Sequence, residues 1–124
     1  MAEAWNVGLM QHLGMRLVEV GPERVVAELE VGERLTTLGG AVHGGTLMAL
    51  ADTAGAAGTV ANGVRTATLE SKTNFFAAGR AGLIRAEAVA LHRGRRTHVW
   101  QTRVTDASGR LLSLTIQTQM VLDQ

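Results

Sequence analysis

The segment "LGGAVHGGTLMALADTAGAAGTVANGV" (38–64) constrains the fold of this chain more than any other. Between Arg34 and Arg65 one residue alone is certain to ionise, Asp52, and it sits among Ala, Leu, Met and Gly. From about Gly44 to Ala61 the positions Leu47, Leu50, Ala51, Ala54 and Gly58 fall on one stripe at helical spacing. Asn62-Gly63 then closes the pattern, as residues tolerant of the left-handed conformation do. A bilayer span is the poorer reading, because no basic flank anchors either end and an aspartate at mid-bilayer costs about 2.5–3.5 kcal/mol. The segment reads as a buried helix.

Asp52 lies opposite the leucine stripe and shares its face with Gly45, Met48, Ala49, Ala56 and Thr59. Both faces are thus apolar, so both need cover. One is met by the chain's own sheet. A length of 124 residues supplies no second layer, which assigns the other face to a second copy of the chain.

After residue 64 the hydrophobic period switches to two. Strands are predicted at 65–76, 82–92, 96–106 and 111–122, after an earlier pair at 15–20 and 24–31 joined through Pro22. The separators "AAGRA", "RGR" and "ASGR" are short, so successive strands are expected to run antiparallel. Residues 2–14 read as a short helix through Trp5, Leu9 and Leu13, and 32–43 as a loop. About six strands and one long helix predict an α+β domain over 1–124, an antiparallel sheet wrapped around a central helix.

Composition excludes several function classes. The 11 Arg and one Lys nearly balance the 11 acids to a net charge of +1, with no run of like charges beyond two, so a nucleic-acid surface is not expected. Cysteine is absent, and the four histidines (12, 43, 92, 98) have no ligand spacing, so no metal or redox cofactor is implied. "LGGAVHGG" lacks the Lys-Ser/Thr of a phosphate loop, and no serine sits in a nucleophile elbow. The amino-terminus shows no basic segment ahead of an apolar one, and a cytoplasmic protein with no membrane partner is expected.

"HGG" (43–45) places two glycines where the helix begins. Unpaired N–H groups point outward there with the positive end of the helix dipole, and no side chain hinders a ligand oxygen. That suits a carbonyl oxygen that becomes anionic in a transition state. Gly44 and Asp52 are eight residues apart, about 12 Å along the axis, whereas two groups serving one carbonyl must each lie about 3 Å from it. If they cooperate, an antiparallel partner helix must supply one of them.

"HGG", six residues, then "AD" and a small-residue helix resembles the hotdog-fold thioesterases of the PaaI and 4-hydroxybenzoyl-CoA thioesterase branch. "LHRGRRTHVWQTRVTDASGRLL" is similar to the 1,4-dihydroxy-2-naphthoyl-CoA hydrolase members, and the resemblance runs from about Met10 to Leu122. It implies hydrolysis of an acyl-CoA thioester without a metal, in a homodimer or a dimer of dimers (a homotetramer). Carried over by position, Asp52 matches the catalytic acid, Gly44 the glycine whose N–H polarises the thioester carbonyl, and His43 the adjacent motif histidine. Gly45 stands beside them. CoA contacts would fall on Arg85, on His92, Arg93, Gly94 and Arg95, and on Gly109, Arg110 and Ser113. The sequence departs from the family at two positions: Thr37 stands where Gln or Asn is usual, and Ala56 where some members carry Ser or Thr. Thr59 or Thr68 is the candidate replacement. Two further readings stay open, a hotdog dehydratase or hydratase of 3-hydroxyacyl thioesters that uses His43, and a non-catalytic acyl-CoA-binding module.

Overall fold

The computed structural model describes residues 2–122; residues 1, 123 and 124, the ends of the expected domain, lie outside the described residues. The amino-terminal apolar segment divides in two: a 3-10 turn at Ala2–Trp5 and helix α1 (Gly8–Leu13), closed by Gly14 at φ +80°. Strands β1 (Arg16–Val20) and β2 (Arg24–Val31) pair antiparallel across the turn at Pro22. A 3-10 turn at Glu33–Leu35 leads to helix α2 (Gly44–Val60). Strands β3 (Thr66–Phe75), β4 (Gly82–Arg93), β5 (Thr97–Asp106) and β6 (Leu111–Val121) follow.

All neighbouring strands are antiparallel, in the order β1-β2-β4-β5-β6-β3. Short turns at 94–96 and 107–110 join β4 to β5 and β5 to β6 as expected. "AAGRA" does not make a hairpin: β3 pairs with β6 at the far edge, with two strands, β5 and β6, between it and β4. The linker is held down on the core instead. Gly79 accepts from the Val42 N–H at 2.9 Å and packs so tightly that a methyl there would lie 2.8 Å from Leu112. A short loop implies adjacent strands only when it stays at the sheet edge, and this one crosses over the start of α2.

Helix α2 lies on one face of the sheet and touches β2 through β6. Leu47, Leu50, Ala51 and Ala54 are buried, as their stripe requires. Leu47 and Leu50 close the core with Ala27, Leu29, Ile84, Ala86, Val104 and Leu112, while Trp100 fills a second cluster with Val25, Ala54 and Ala88. Small residues let the helix sit close: a side chain at Gly58 would run into the Trp100 ring.

Strand β6 reverses the usual assignment of faces. Ser113, Thr115, Gln117 and Gln119 are all fully buried, whereas the alternating Leu114, Ile116 and Thr118 are only partly covered. An antiparallel sheet packed on one side normally turns its apolar set inward. Here β6 turns its polar set toward α2, beneath Asp52.

Candidate active site

The start of α2 is built around His43. At φ −62°, ψ 133° it is the N-cap, and its Nδ1 accepts the Gly45 N–H at 2.8 Å. With Nδ1 accepting in this pose, Nε2 is the nitrogen left to donate outward. The His43 N–H is itself bound to the Leu35 carbonyl at 2.9 Å, so the turn at Glu33–Leu35 anchors the helix entry. The Gly44 N–H has no partner among the described residues. Of the two glycines of the motif, Gly45 therefore has its amide engaged and Gly44 has its amide open. The Phe75 ring lies against Gly44, 3.2 Å from where a methyl would stand. An apolar recess of about 380 Å³ opens beside it, lined chiefly by Val42, Leu47, Phe75 and Phe76.

Asp52 is half-buried on the face of α2 that borders β3. Its Oδ1 accepts from the Thr68 hydroxyl at 2.6 Å and from Gln117 Nε2 at 3.1 Å, and no described donor reaches Oδ2. Gln119 Nε2 donates in turn to the Thr68 hydroxyl at 2.7 Å, and Gln119 Oε1 accepts from Thr66 at 2.8 Å. The carboxylate is thus gripped on one oxygen and open on the other. Gln117, Gln119 and Thr66 are missing from the sequence-based set. The signal for them is the period-two pattern of "SLTIQTQM", whose polar phase is ordinarily given to solvent.

Thr59 corrects the sequence reading. It shares the helical phase of Asp52 but is fully buried, and its hydroxyl accepts the Trp100 indole N–H at 2.9 Å and lies 3.1 Å from His98 Nδ1. No substrate reaches it. Ser113 is likewise fully buried on the inner side of β6 and is not a surface contact. Thr37 is exposed in a tight loop, its N–H bound to the Ala41 carbonyl at 2.7 Å. Thr68 is exposed but donates its one proton to Asp52.

The arginine-bearing positions form separate groups. His92, Arg93, Gly94 and Arg95 lie at the β4–β5 turn, where Arg93 binds Glu23 at 3.0 Å and Asn62 at 3.1 Å. Arg95 borders a recess of about 630 Å³ with Arg96, Thr97 and Met120. Gly109 and Arg110 lie at the β5–β6 turn, where Asp106 Oδ1 collects the Ser108 hydroxyl and the Ser108 and Arg110 N–H groups. The Ser108 hydroxyl, followed by the Arg110 N–H, holds that carboxyl below its usual range. Strand β5 separates the two turns by ten residues, about 30 Å. Arg85 projects from the outer face of β4 beside Arg103 and the Arg24–Glu87 pair. One chain therefore does not gather these positions around one small ligand, and it does not bring Gly44 to Asp52. Among the described residues no three or more His, Asp or Glu side chains cluster as metal ligands, and no helix is long and apolar enough to cross a membrane.

Residues 39–113 match the model of the thioesterase superfamily. The chain is 35% identical over 111 residues to a 1,4-dihydroxy-2-naphthoyl-CoA hydrolase of Listeria monocytogenes, covering 87% of this chain and 90% of that one. It is 32% identical over 111 residues to the proofreading thioesterase EntH of Cronobacter turicensis, covering 86% and 81%. Among solved structures, a mutant thioesterase of Pseudomonas aeruginosa superposes with a TM-score of 0.90 at 27% identity, covering 97% of this chain and 89% of that one. PaaI of E. coli superposes with a TM-score of 0.91 at 22% identity, covering 98% and 89%, a likeness of fold alone. Sheet, helix and matched segment agree: the chain belongs to the thioesterase superfamily, a thioester hydrolase of hotdog fold.

Proposed function

We propose that the protein hydrolyses an acyl-CoA thioester, with an aryl acyl group as the first candidate, at two equivalent sites in a homodimer. The observation that carries this reading is the state of Asp52. One carboxylate oxygen is held by Thr68 and Gln117 and the other is unbound, on a helix face that the chain itself leaves partly uncovered.

In this reading the Gly44 N–H of one copy donates to the thioester carbonyl oxygen and stabilises the charge that grows there. Asp52 of the other copy faces the acyl carbon and acts by drawing a proton from water or by attacking the carbon itself. In the first course the water oxygen adds and the C–S bond breaks. In the second the carboxylate displaces the CoA thiolate, and a water then hydrolyses the acyl anhydride and frees Asp52. Both consume one water and end with the free acid and the CoA thiol. The shared arrangement is supported by β3, which is an open edge of ten residues with Leu69, Phe75 and Phe76 exposed. Two β3 strands paired antiparallel about an axis between Ser71 and Lys72 set Thr68 of one copy opposite Phe75 of the other. Asp52 hangs on Thr68, and Gly44 lies against Phe75. That pairing carries the carboxylate of each copy toward the open amide of the other. The recess beside Gly44 is apolar and suits the acyl group. The aryl assignment draws on the naphthoyl-CoA hydrolase at 35% identity. His43 sets the helix entry. Arg85, the 92–95 turn and the 109–110 turn supply the CoA contacts from different copies. A dimer of dimers and a cytoplasmic setting belong to the same reading.

The test is thiol release from a panel of aryl and aliphatic acyl-CoAs, with Asp52→Asn alongside. Release from at least one aryl-CoA is expected, with kcat lowered at least about a hundredfold by Asp52→Asn. No release from any thioester, or release indifferent to the substitution, contradicts the proposal.

A further inference from the structure

On the reading that Asp52 is the catalytic acid, we propose that Thr68 and Gln117 are its positioning residues, locking one carboxylate oxygen so that the other alone faces the substrate. Each link in the arrangement has a single consistent direction. Gln117 is fully buried, and its amide end faces two oxygens, Asp52 Oδ1 at 3.1 Å and the Asp52 main-chain carbonyl at 3.4 Å. Two acceptors require the NH₂ end there, which turns Gln117 Oε1 toward Gly55. That carbonyl oxygen has no hydrogen-bond partner among the described residues. A methyl on residue 55 would lie 2.5 Å from it, so only glycine admits the amide in this pose. Leaving a buried acceptor unpaired is unfavourable, and the fold accepts it to aim the donor at Asp52.

Thr68 adds the second grip. Its hydroxyl has one proton and receives a hydrogen bond from Gln119 Nε2, so that proton goes to Asp52 Oδ1. Gln119 is also fully buried and is itself held by Thr66. Gln119 and Thr68 form one line of donors ending on Oδ1, with the Thr66 hydroxyl shared between Gln119 Oε1 and the Met120 carbonyl, while Gln117 reaches the same atom from β6. Two convergent donors fix the rotation of the carboxylate about its Cβ–Cγ bond and leave Oδ2 free. Neither Thr68 nor Gln117 needs to touch the substrate for this. The role also replaces the one the sequence offers Thr68, that of a substrate-binding hydroxyl.

The experiment measures kcat and KM, on whichever acyl-CoA the protein turns over, for Thr68→Val, Thr68→Ser, Gln117→Leu, Asp52→Asn and the double variant Thr68→Val/Asp52→Asn. Thr68→Val is isosteric at an exposed position and keeps the test decisive should Gln117→Leu fail to fold. The expected result is a fall in kcat of about 10- to 100-fold for Thr68→Val with KM within about twofold, the scale of a misplaced reacting group. Thr68→Ser should recover most of that loss. Thr68→Val should cost nothing further once Asp52 is Asn, because it acts through that carboxylate. An unchanged kcat in Thr68→Val, a raised KM at constant kcat, or a further loss in the double variant below the residual rate of Asp52→Asn overturns the proposal while Asp52→Asn itself stays at least about a hundredfold impaired. Full activity in Asp52→Asn instead overturns the reading on which the proposal rests.

Discussion

His98 and Thr59 show how one hydroxyl can serve the core and not the site. Thr59 takes the indole N–H of Trp100 and faces the imidazole of His98, which is 5% exposed. Burial first, then the charge of Arg93 and the neighbouring His92, makes His98 harder to protonate than a free histidine. Below about pH 6.5 the unfolded chain therefore binds a proton that the folded one refuses, and stability falls with pH until the folded imidazole also titrates. Tm should drop more between pH 7.5 and 5 for the native chain than for His98→Gln; parallel curves would contradict this. Asp52 and Gly44 stand out in the sequence as candidates because an isolated charge and a glycine at a helix start mark them. Thr59 was misassigned because helical phase ignores who takes the hydroxyl. Gln117 and Gln119 were illegible because polar alternation ordinarily signals solvent.

Helix α2 reads directly from its stripe of Leu, Ala and Gly, and its start and end lie within a residue of the expected 44–61. The six strands were legible too, since stretches of alternation set between short Gly-containing breaks mark them even where the pattern is imperfect. Their order was not. Period and loop length carry no information about the packing of Gly79 on Leu112 and Val42, which sends the chain across to β4 and leaves β3 at an edge. That edge position matters, because it places Thr68 and Phe75 where a second copy can reach them. Met48 lies one helical turn before Asp52 on the uncovered face and is 39% exposed in the single chain. Met48→Glu would set a charge into the proposed contact between copies. The variant should sediment as a monomer at micromolar concentration and lose thioesterase activity, with the circular dichroism of the native fold. A stable, active dimer would place the contact elsewhere.

At the scale of the whole molecule one chain holds the two halves of the proposed site apart. The open amide of Gly44 and the free oxygen of Asp52 are eight residues apart on a rigid helix, about 12 Å, and no rotamer closes that gap. Leu69 and Phe75 on the open β3 edge, and Phe76 just after it, are exposed in the single chain, where the proposed partner would cover them. If the two groups serve one carbonyl, the need for a partner follows already from the sequence, through helical rise and the length of a hydrogen bond. Complementation between two inactive variants tests it most directly. Gly44→Pro removes the amide hydrogen, at a first helical position where proline is tolerated and after a residue already in the extended region, and because its ring also presses on Phe75 the variant must first show the native circular dichroism. Asp52→Asn removes the acid. Each variant alone should be inactive. Mixed one to one and allowed to exchange, half the dimers are hybrid and one of their two sites is intact, so about a quarter of native activity should return. A mixture as inactive as its parts would mean that Gly44 and Asp52 do not serve one shared site from opposing copies.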